Sequence, residues 1–181
     1  MSTMLHRART GAAALAMAVC LFAAACQGGA QAGSPQSAPA PEFAGVERWI
    51  NSPPLTLAGL RGKVVLVEFW TYACGNCIRV APHVNEWHRR YRDLGLVVVG
   101  VHTPEYDAER VPANVEAAVA RYGIRYPVAL DNDYKTWNAY RNQFWPALYL
   151  IDRQGRVVYR HIGEGDYDVT DARIRELLAR G

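Results

Sequence analysis

The chain has 181 residues, of which 50% are hydrophobic and 20% are charged, with a formal net charge of +3. This composition is that of an ordinary globular protein, and the length leaves room for one domain of usual size beside short terminal segments. The weak positive charge gives no electrostatic reason to expect binding to nucleic acid.

Residues 1–25 are predicted to form an export signal. A basic start at positions 6–9 precedes an apolar stretch over 12–24 that is too short to span a bilayer comfortably. The end of this stretch, Ala-Ala-Ala followed by Cys26, resembles a bacterial lipobox, which implies cleavage before Cys26 and lipid attached to it. We therefore expect an exported protein that lipid on Cys26 anchors to the cell membrane. The alternative is a soluble periplasmic or secreted product.

Residues 26–42 are almost wholly Gly, Ala, Ser, Gln and Pro, and are predicted to be a flexible linker that carries the lipid at its first residue. Residues 43–181 then form one domain, which would contact the membrane through the lipid anchor only. Cys20 leaves with the signal and Cys26 carries lipid, so two of the four cysteines remain to pair with each other.

The hydrophobic pattern of the domain alternates between strands and helices, which favours a mainly parallel core. Strands are predicted over residues 55–57, 64–70, 96–102, 127–131, 145–152 and 156–162, the last being an edge strand of a hairpin. Helices are predicted over residues 75–91, 111–122, 133–142 and 170–180.

Cys74 and Cys77 form a C-x-x-C pair where the buried strand 64–70 is followed by a helix. Cysteines at this spacing lie on one face of the first helical turn, so a disulfide between them can form and break with little backbone movement. The N–H groups and positive dipole end of a helix start stabilise a thiolate, which is the nucleophile. We expect Cys74 to attack and Cys77 to resolve the mixed disulfide.

Five segments in a fixed order carry a resemblance to a known family: residues 68–77, 100–105, 127–134, 145–147 and 163–168. Together they resemble the thioredoxin-like superfamily, in its TlpA-like and redoxin branch. They are most similar to the soluble thioredoxin-like domain of DipZ-type proteins. The resemblance implies an α/β thioredoxin-like fold, in which a central mixed sheet is flanked by helices and carries an extra strand-helix insertion.

The resemblance also implies roles for individual residues. Cys74 and Cys77 match the redox-active disulfide of the family. Glu68 stands where the family commonly has a buried acid, which would pass a proton to or from Cys77; the alternative is an acid turned to solvent. Pro146 matches the cis-proline loop that binds substrate, and Trp145 would form a wall of the groove, unless both belong to an ordinary strand start.

The function implied by the resemblance is that of an extracytoplasmic thiol-disulfide oxidoreductase with no cofactor and no metal. It would reduce disulfides of proteins, in cytochrome c maturation or in repair of oxidised envelope proteins. Its partners would be protein thiols and a membrane electron donor of the CcdA/DsbD type. The direction stays open, because Gly75-Asn76 differs from the Gly-Pro of thioredoxin and redox potential is sensitive to these positions.

Other functions fit parts of the pattern. Thr71 and Cys74 form the T-x-x-C part of a thiol peroxidase site of the redoxin type, although Val67 stands where such a site has proline. A Sco-like copper carrier could use Cys74 and Cys77 with His102 or His161, although Sco-type proteins place three residues between the cysteines. A purely structural disulfide is the third alternative, but so short a loop would constrain little of the unfolded chain.

Overall fold

The structure is a computed structural model that describes residues 38–180. The predicted export signal, Cys26 and most of the predicted linker lie outside the described residues. The six strands are β1 (Arg48–Ile50), β2 (Val64–Trp70), β3 (Leu96–His102), β4 (Val128–Leu130), β5 (Ala147–Ile151) and β6 (Val157–Ile162). The four α-helices are α1 (Gly75–Tyr91), α2 (Pro112–Arg121), α3 (Lys135–Ala139) and α4 (Tyr167–Ala179).

The strands form one mixed sheet in the order β1-β4-β3-β2-β5-β6. The three strands β2, β3 and β4 are parallel, whereas β5 is antiparallel to β2, and β1 and β6 add antiparallel edges. The pair β4 and α3 lies between α2 and β5 in the chain and forms the strand-helix insertion. The predicted thioredoxin-like fold is therefore confirmed.

The sheet separates two apolar clusters because β2 is buried on both faces. Val64, Leu66 and Trp70 face a cluster that includes residues of α1, α2 and α4. Val65 and Phe69 face the other cluster, to which α3 contributes. Each fully buried side chain of this kind contributes about 1.5–3 kcal/mol, so the strand that leads to the C-x-x-C pair is firmly held.

Three features of the fold differ from the predicted pattern or were missed by it. Residues 55–57 form no strand, because Leu57 N donates to the Glu42 carboxylate instead of to a neighbouring strand. The short strand β1 was not predicted, and it pairs with β4 at one edge of the sheet. Residues 38–42, assigned to the linker by the sequence, contact the domain: Pro39 pairs with Arg156, immediately before β6.

Among residues 38–180, no helix combines the length and the apolar composition that crossing a membrane requires.

Candidate active site

The C-x-x-C pair lies at the start of α1. Cys74 is the N-cap residue, and its Sγ accepts a hydrogen bond from the backbone N of Cys77 at 3.3 Å. No disulfide bond joins Cys74 and Cys77 in the structure. Cys74 is half-buried, whereas Cys77 is 2% exposed. A reagent that approaches from solvent therefore meets the sulfur of Cys74 first.

The environment of Cys77 opposes its ionisation. Burial is the largest influence, and together with the hydrogen bond to Cys74 and the charges of Cys74 and Glu68 it raises the pKa of the Cys77 thiol well above the usual range. The backbone of Thr71 acts in the opposite direction but is outweighed. Since only a thiolate is an effective nucleophile, Cys77 needs a nearby group to take its proton before it can react.

Glu68 lies on β2 in the centre of the sheet and is 1% exposed, so the alternative of a solvent-facing acid is wrong for this residue. Burial raises the pKa of its carboxyl to about 7, and a hydrogen bond from the Tyr126 hydroxyl to Oε2, 2.8 Å long, acts in the opposite direction. Because the charge of Glu68 also acts on the Cys77 thiol, the two groups are close enough to influence each other. A carboxyl with this pKa can exchange a proton near neutral pH.

Trp145 and Pro146 lie at the end of the sheet where β2 ends and the cysteine loop, residues 71–74, begins. Ala147 pairs with Phe69, which places Pro146 beside the last residue of β2. The Trp145–Pro146 peptide bond is cis. Trp145 is half-buried, packs on Trp137 at a ring-centroid distance of 4.2 Å, and its indole Nε1 donates to a backbone carbonyl. The indole is thus held in one position while part of its surface stays accessible.

Glu109 is a second buried acid at the site, and it was not among the residues predicted from the sequence. Its carboxylate accepts hydrogen bonds from the backbone N atoms of Ala73 at 2.9 Å, Glu105 at 2.6 Å and Tyr106 at 2.9 Å. Burial alone would raise the pKa of Glu109, but the Thr71 hydroxyl and these three N–H groups outweigh it and lower the pKa. An ionised carboxylate therefore fixes the backbone immediately before Cys74.

Thr71 and His102 are buried behind the cysteine loop, and their contacts bear on the two alternative functions. The Thr71 hydroxyl lies 3.4 Å from Nε2 of His102 and also interacts with Glu109. The hydroxyl therefore has partners within the protein, and the geometry adds no support to the thiol peroxidase. His102 is fully buried between Trp70 and Tyr72, and burial lowers the pKa of its imidazole to about 4.

His161, the other histidine considered for copper, lies 3.5 Å from the Asp166 carboxylate. Within the described range 38–180, no group of three or more His, Cys, Asp or Glu side chains is placed to hold a metal ion. The geometry therefore adds no support to the copper carrier.

Comparison with known proteins places the chain among thioredoxin-like proteins. The Redoxin family model matches residues 35–178. Protein DipZ of Mycobacterium tuberculosis is 54% identical over 142 residues, which are 77% of this chain and 20% of DipZ. Thiol-disulfide oxidoreductase YkuV of Bacillus subtilis is 29% identical over 141 residues, which are 78% of this chain and 95% of YkuV.

The solved structure of the thioredoxin-like superfamily protein SPOA0173 superposes with a TM-score of 0.73 at 30% identity, covering 78% of this chain and 97% of that one. The chain spans about a fifth of the length of the DipZ proteins it matches. The resemblance predicted from the sequence segments is confirmed by these matches. Because the family model covers most of the chain, the protein belongs to the Redoxin family.

Proposed function

We propose that the protein is an extracytoplasmic thiol-disulfide oxidoreductase that reduces disulfide bonds of other proteins through Cys74 and Cys77. The observation that carries the proposal is the asymmetry of the pair. Cys74 is accessible at the N-terminus of α1, whereas Cys77 is buried and is influenced by the charge of Glu68, whose carboxyl has a pKa of about 7. The likeness to a protein named thiol-disulfide oxidoreductase, YkuV, supports the same chemistry.

The reaction has two displacement steps. The Cys74 thiolate attacks one sulfur of the substrate disulfide, the substrate S–S bond breaks, and the other substrate sulfur leaves as a thiolate that takes up a proton. Glu68 then accepts the proton of Cys77, and the Cys77 sulfur attacks Cys74. The mixed disulfide breaks, the second substrate thiol is released, and the bond between Cys74 and Cys77 forms. Two electrons have moved from the dithiol to the substrate.

The surface next to the pair suits a protein substrate. Trp145 and Pro146 form the wall that we assign to substrate binding. Two neighbours of the site residues in the sequence are apolar and exposed. Ile78 follows Cys77, and Phe144 precedes Trp145. We include both side chains in the proposed substrate surface because each is adjacent in sequence to a residue of the site. An extended segment that carries a disulfide could contact these groups while its sulfur reaches Cys74.

The reduction potential of the pair tests the direction of the reaction. The full chain, with Cys20 and Cys26 changed to serine so that only the pair reacts, is equilibrated against glutathione and dithiothreitol buffers. A reductant is expected to have a potential near or below about −250 mV. A value near about −120 mV, typical of strong oxidants, would show that the protein forms disulfides, and the proposed direction would be wrong.

Capture of substrates tests the roles of the two cysteines. In the same serine background, Cys77→Ser should accumulate mixed disulfides with envelope proteins that dithiothreitol releases. Cys74→Ser is the matched control, since it keeps one cysteine of the pair but lacks the accessible nucleophile, and it should capture nothing. Equal capture by both variants would contradict the assignment of Cys74 as the attacking residue.

The location and the electron source complete the proposal. We place the protein outside the cytoplasmic membrane, held by lipid on Cys26, with a membrane protein of the CcdA/DsbD type as electron donor. The lipobox resemblance of residues 23–26 supports the anchor. Metabolic labelling with a clickable fatty acid should mark the wild-type chain and leave Cys26→Ser unmarked. Labelling of neither chain, with the wild type in the soluble fraction, would favour the secreted alternative.

A further inference from the structure

Tyr126 is a buried polar side chain to which the reaction steps above assign no role. It lies in the connection between α2 and β4 and is completely buried. Its hydroxyl donates a hydrogen bond of 2.8 Å to Oε2 of Glu68, which is 58 positions away in the chain. Burial and the neighbouring Glu68 charge raise the pKa of Tyr126 well above its usual value, so the hydroxyl remains a donor throughout the range in which Glu68 titrates.

The position of the Tyr126 ring depends on the absence of a side chain at Gly100 in β3. Gly100 pairs with Glu68 in the parallel ladder, and its backbone N donates to the carbonyl of Pro127 at 2.9 Å. A Cβ atom on Gly100 would lie 3.0 Å from Cε2 of Tyr126 and 2.9 Å from Nε1 of Trp70. Since real Cβ atoms avoid such short contacts, the glycine leaves the space in which the Tyr126 ring reaches Glu68.

The groups that face Glu68 come from several elements. The Tyr126 hydroxyl reaches it from the segment before β4, Leu148 of β5 pairs with it in the sheet, and its charge acts on the thiol of Cys77 in α1. His88 of α1 lies edge-on to the Tyr126 ring at a centroid distance of 5.8 Å. Among the described residues, the hydrogen bond from the Tyr126 hydroxyl is the only one made to the side chain of Glu68. The hydroxyl is therefore the main polar contact of this carboxyl.

We propose that Tyr126 is a positioning residue for the second displacement step: its hydroxyl orients Glu68 and stabilises the carboxylate that accepts the proton of Cys77. This inference rests on the proposed function, in which Glu68 takes that proton. The proton moves from the Cys77 sulfur to a Glu68 oxygen while the Cys77 sulfur bonds to Cys74 and the substrate sulfur leaves. Tyr126 keeps its own proton throughout, so it adds no reactant to the step.

The test separates the two displacement steps with Ellman's reagent, a small aromatic disulfide. The full chain carries serine at Cys20 and Cys26, and release of the coloured thiolate is followed by stopped flow. The first release depends on protein concentration and reports attack by Cys74. The second release is intramolecular and reports attack by Cys77. The rate of the second release is measured as a function of pH.

Tyr126→Phe should leave the first release unchanged and move the midpoint of the second release upward by about one pH unit, because a hydrogen bond to a charged group of ordinary strength is lost. At pH 7 the second release should be about fivefold slower. Tyr149→Phe is the matched control, since it removes a buried hydroxyl that donates to Asn142 at 2.9 Å. It should not move the midpoint.

Glu68→Gln separates failure of this inference from failure of the proposed function. It should slow the second release and remove the dependence of its rate on pH near neutrality. Adding Tyr126→Phe to Glu68→Gln should then change the rate no further. A normal second release in Glu68→Gln would refute the proton-accepting role itself. If Glu68→Gln slows the second release but Tyr126→Phe and Tyr149→Phe have the same pH midpoint, then Glu68 keeps its role and the role of Tyr126 is overturned. Titration of the Glu68 carboxyl carbon by NMR measures the same midpoint without the redox reaction.

Discussion

Replacement of Glu68 by glutamine should change how the stability of the reduced protein depends on pH. The buried carboxyl binds its proton more tightly in the folded chain than in the unfolded one, since its pKa rises from 4.5 to about 7. Its contribution to stability is therefore fully present below the unfolded value and is lost as the pH rises to the folded value. Glutamine cannot ionise, so the variant should not show this loss.

The size of the effect follows from the pKa change. One pKa unit corresponds to about 1.36 kcal/mol, so the rise from 4.5 to about 7 gives a loss of about 3 kcal/mol in the free energy of unfolding of the wild type. Relative to the wild type, Glu68→Gln should gain about 3 kcal/mol between about pH 4.5 and about pH 8. The amide can still accept a hydrogen bond from Tyr126, so its packing should change little.

Urea unfolding of the reduced protein at several pH values measures this difference. Glu116→Gln is a control on the surface, because the Glu116 side chain is 41% exposed and pairs with Arg48. Its difference from the wild type should stay nearly constant over the same range. If the difference for Glu68→Gln is equally flat, then Glu68 ionises in the folded protein as it does in the unfolded chain, and the argument from burial is wrong.

Two further substitutions test the neighbours of the redox pair. Glu109→Gln turns amide N–H groups toward the donors that hold the carboxylate, so it should cost about 1–3 kcal/mol of unfolding free energy and speed hydrogen exchange at the Ala73 amide. Unchanged exchange would show that Glu109 does not hold the loop. Gly100→Ala places a Cβ 2.9 Å from Nε1 of Trp70 and should cost about 1–3 kcal/mol in urea unfolding, and a neutral result would mean that the neighbouring rings can move aside.

The elements that carry the cysteines could be predicted because their signals are local. The continuous apolar run over residues 64–70 fits a strand buried on both faces, and the observed β2 has the same bounds. Helix α1 also has the predicted bounds, since Cys74 caps its first turn. The predicted strand over residues 55–57 was wrong because three alternating residues carry little information, and a distant carboxylate competes for the Leu57 N–H.

The two groups that complete the site could not be found from local pattern. Glu109 lies in a polar segment with several acids, and its contact with Ala73 joins residues 36 positions apart. Its spacing from Tyr106 is that of a helix capping box, which was a usable but weak signal. Tyr126 looks like one more apolar residue before Pro127. The structure shows that its ring lies beside Gly100 and that its hydroxyl reaches Glu68, 58 positions away in the chain.

Glu68 and Glu109 show that burial alone does not set the ionisation of an acid in this site. Each residue is 1% exposed, and burial is the largest influence on each. Glu68 receives one hydroxyl donor, which does not offset burial, so the pKa of its carboxyl stays near neutral pH. Glu109 receives three backbone N–H groups and a hydroxyl, which together lower its pKa. With one hydrogen-bond donor, Glu68 can exchange a proton with Cys77. With four donors, Glu109 remains charged and holds the backbone before Cys74 in place.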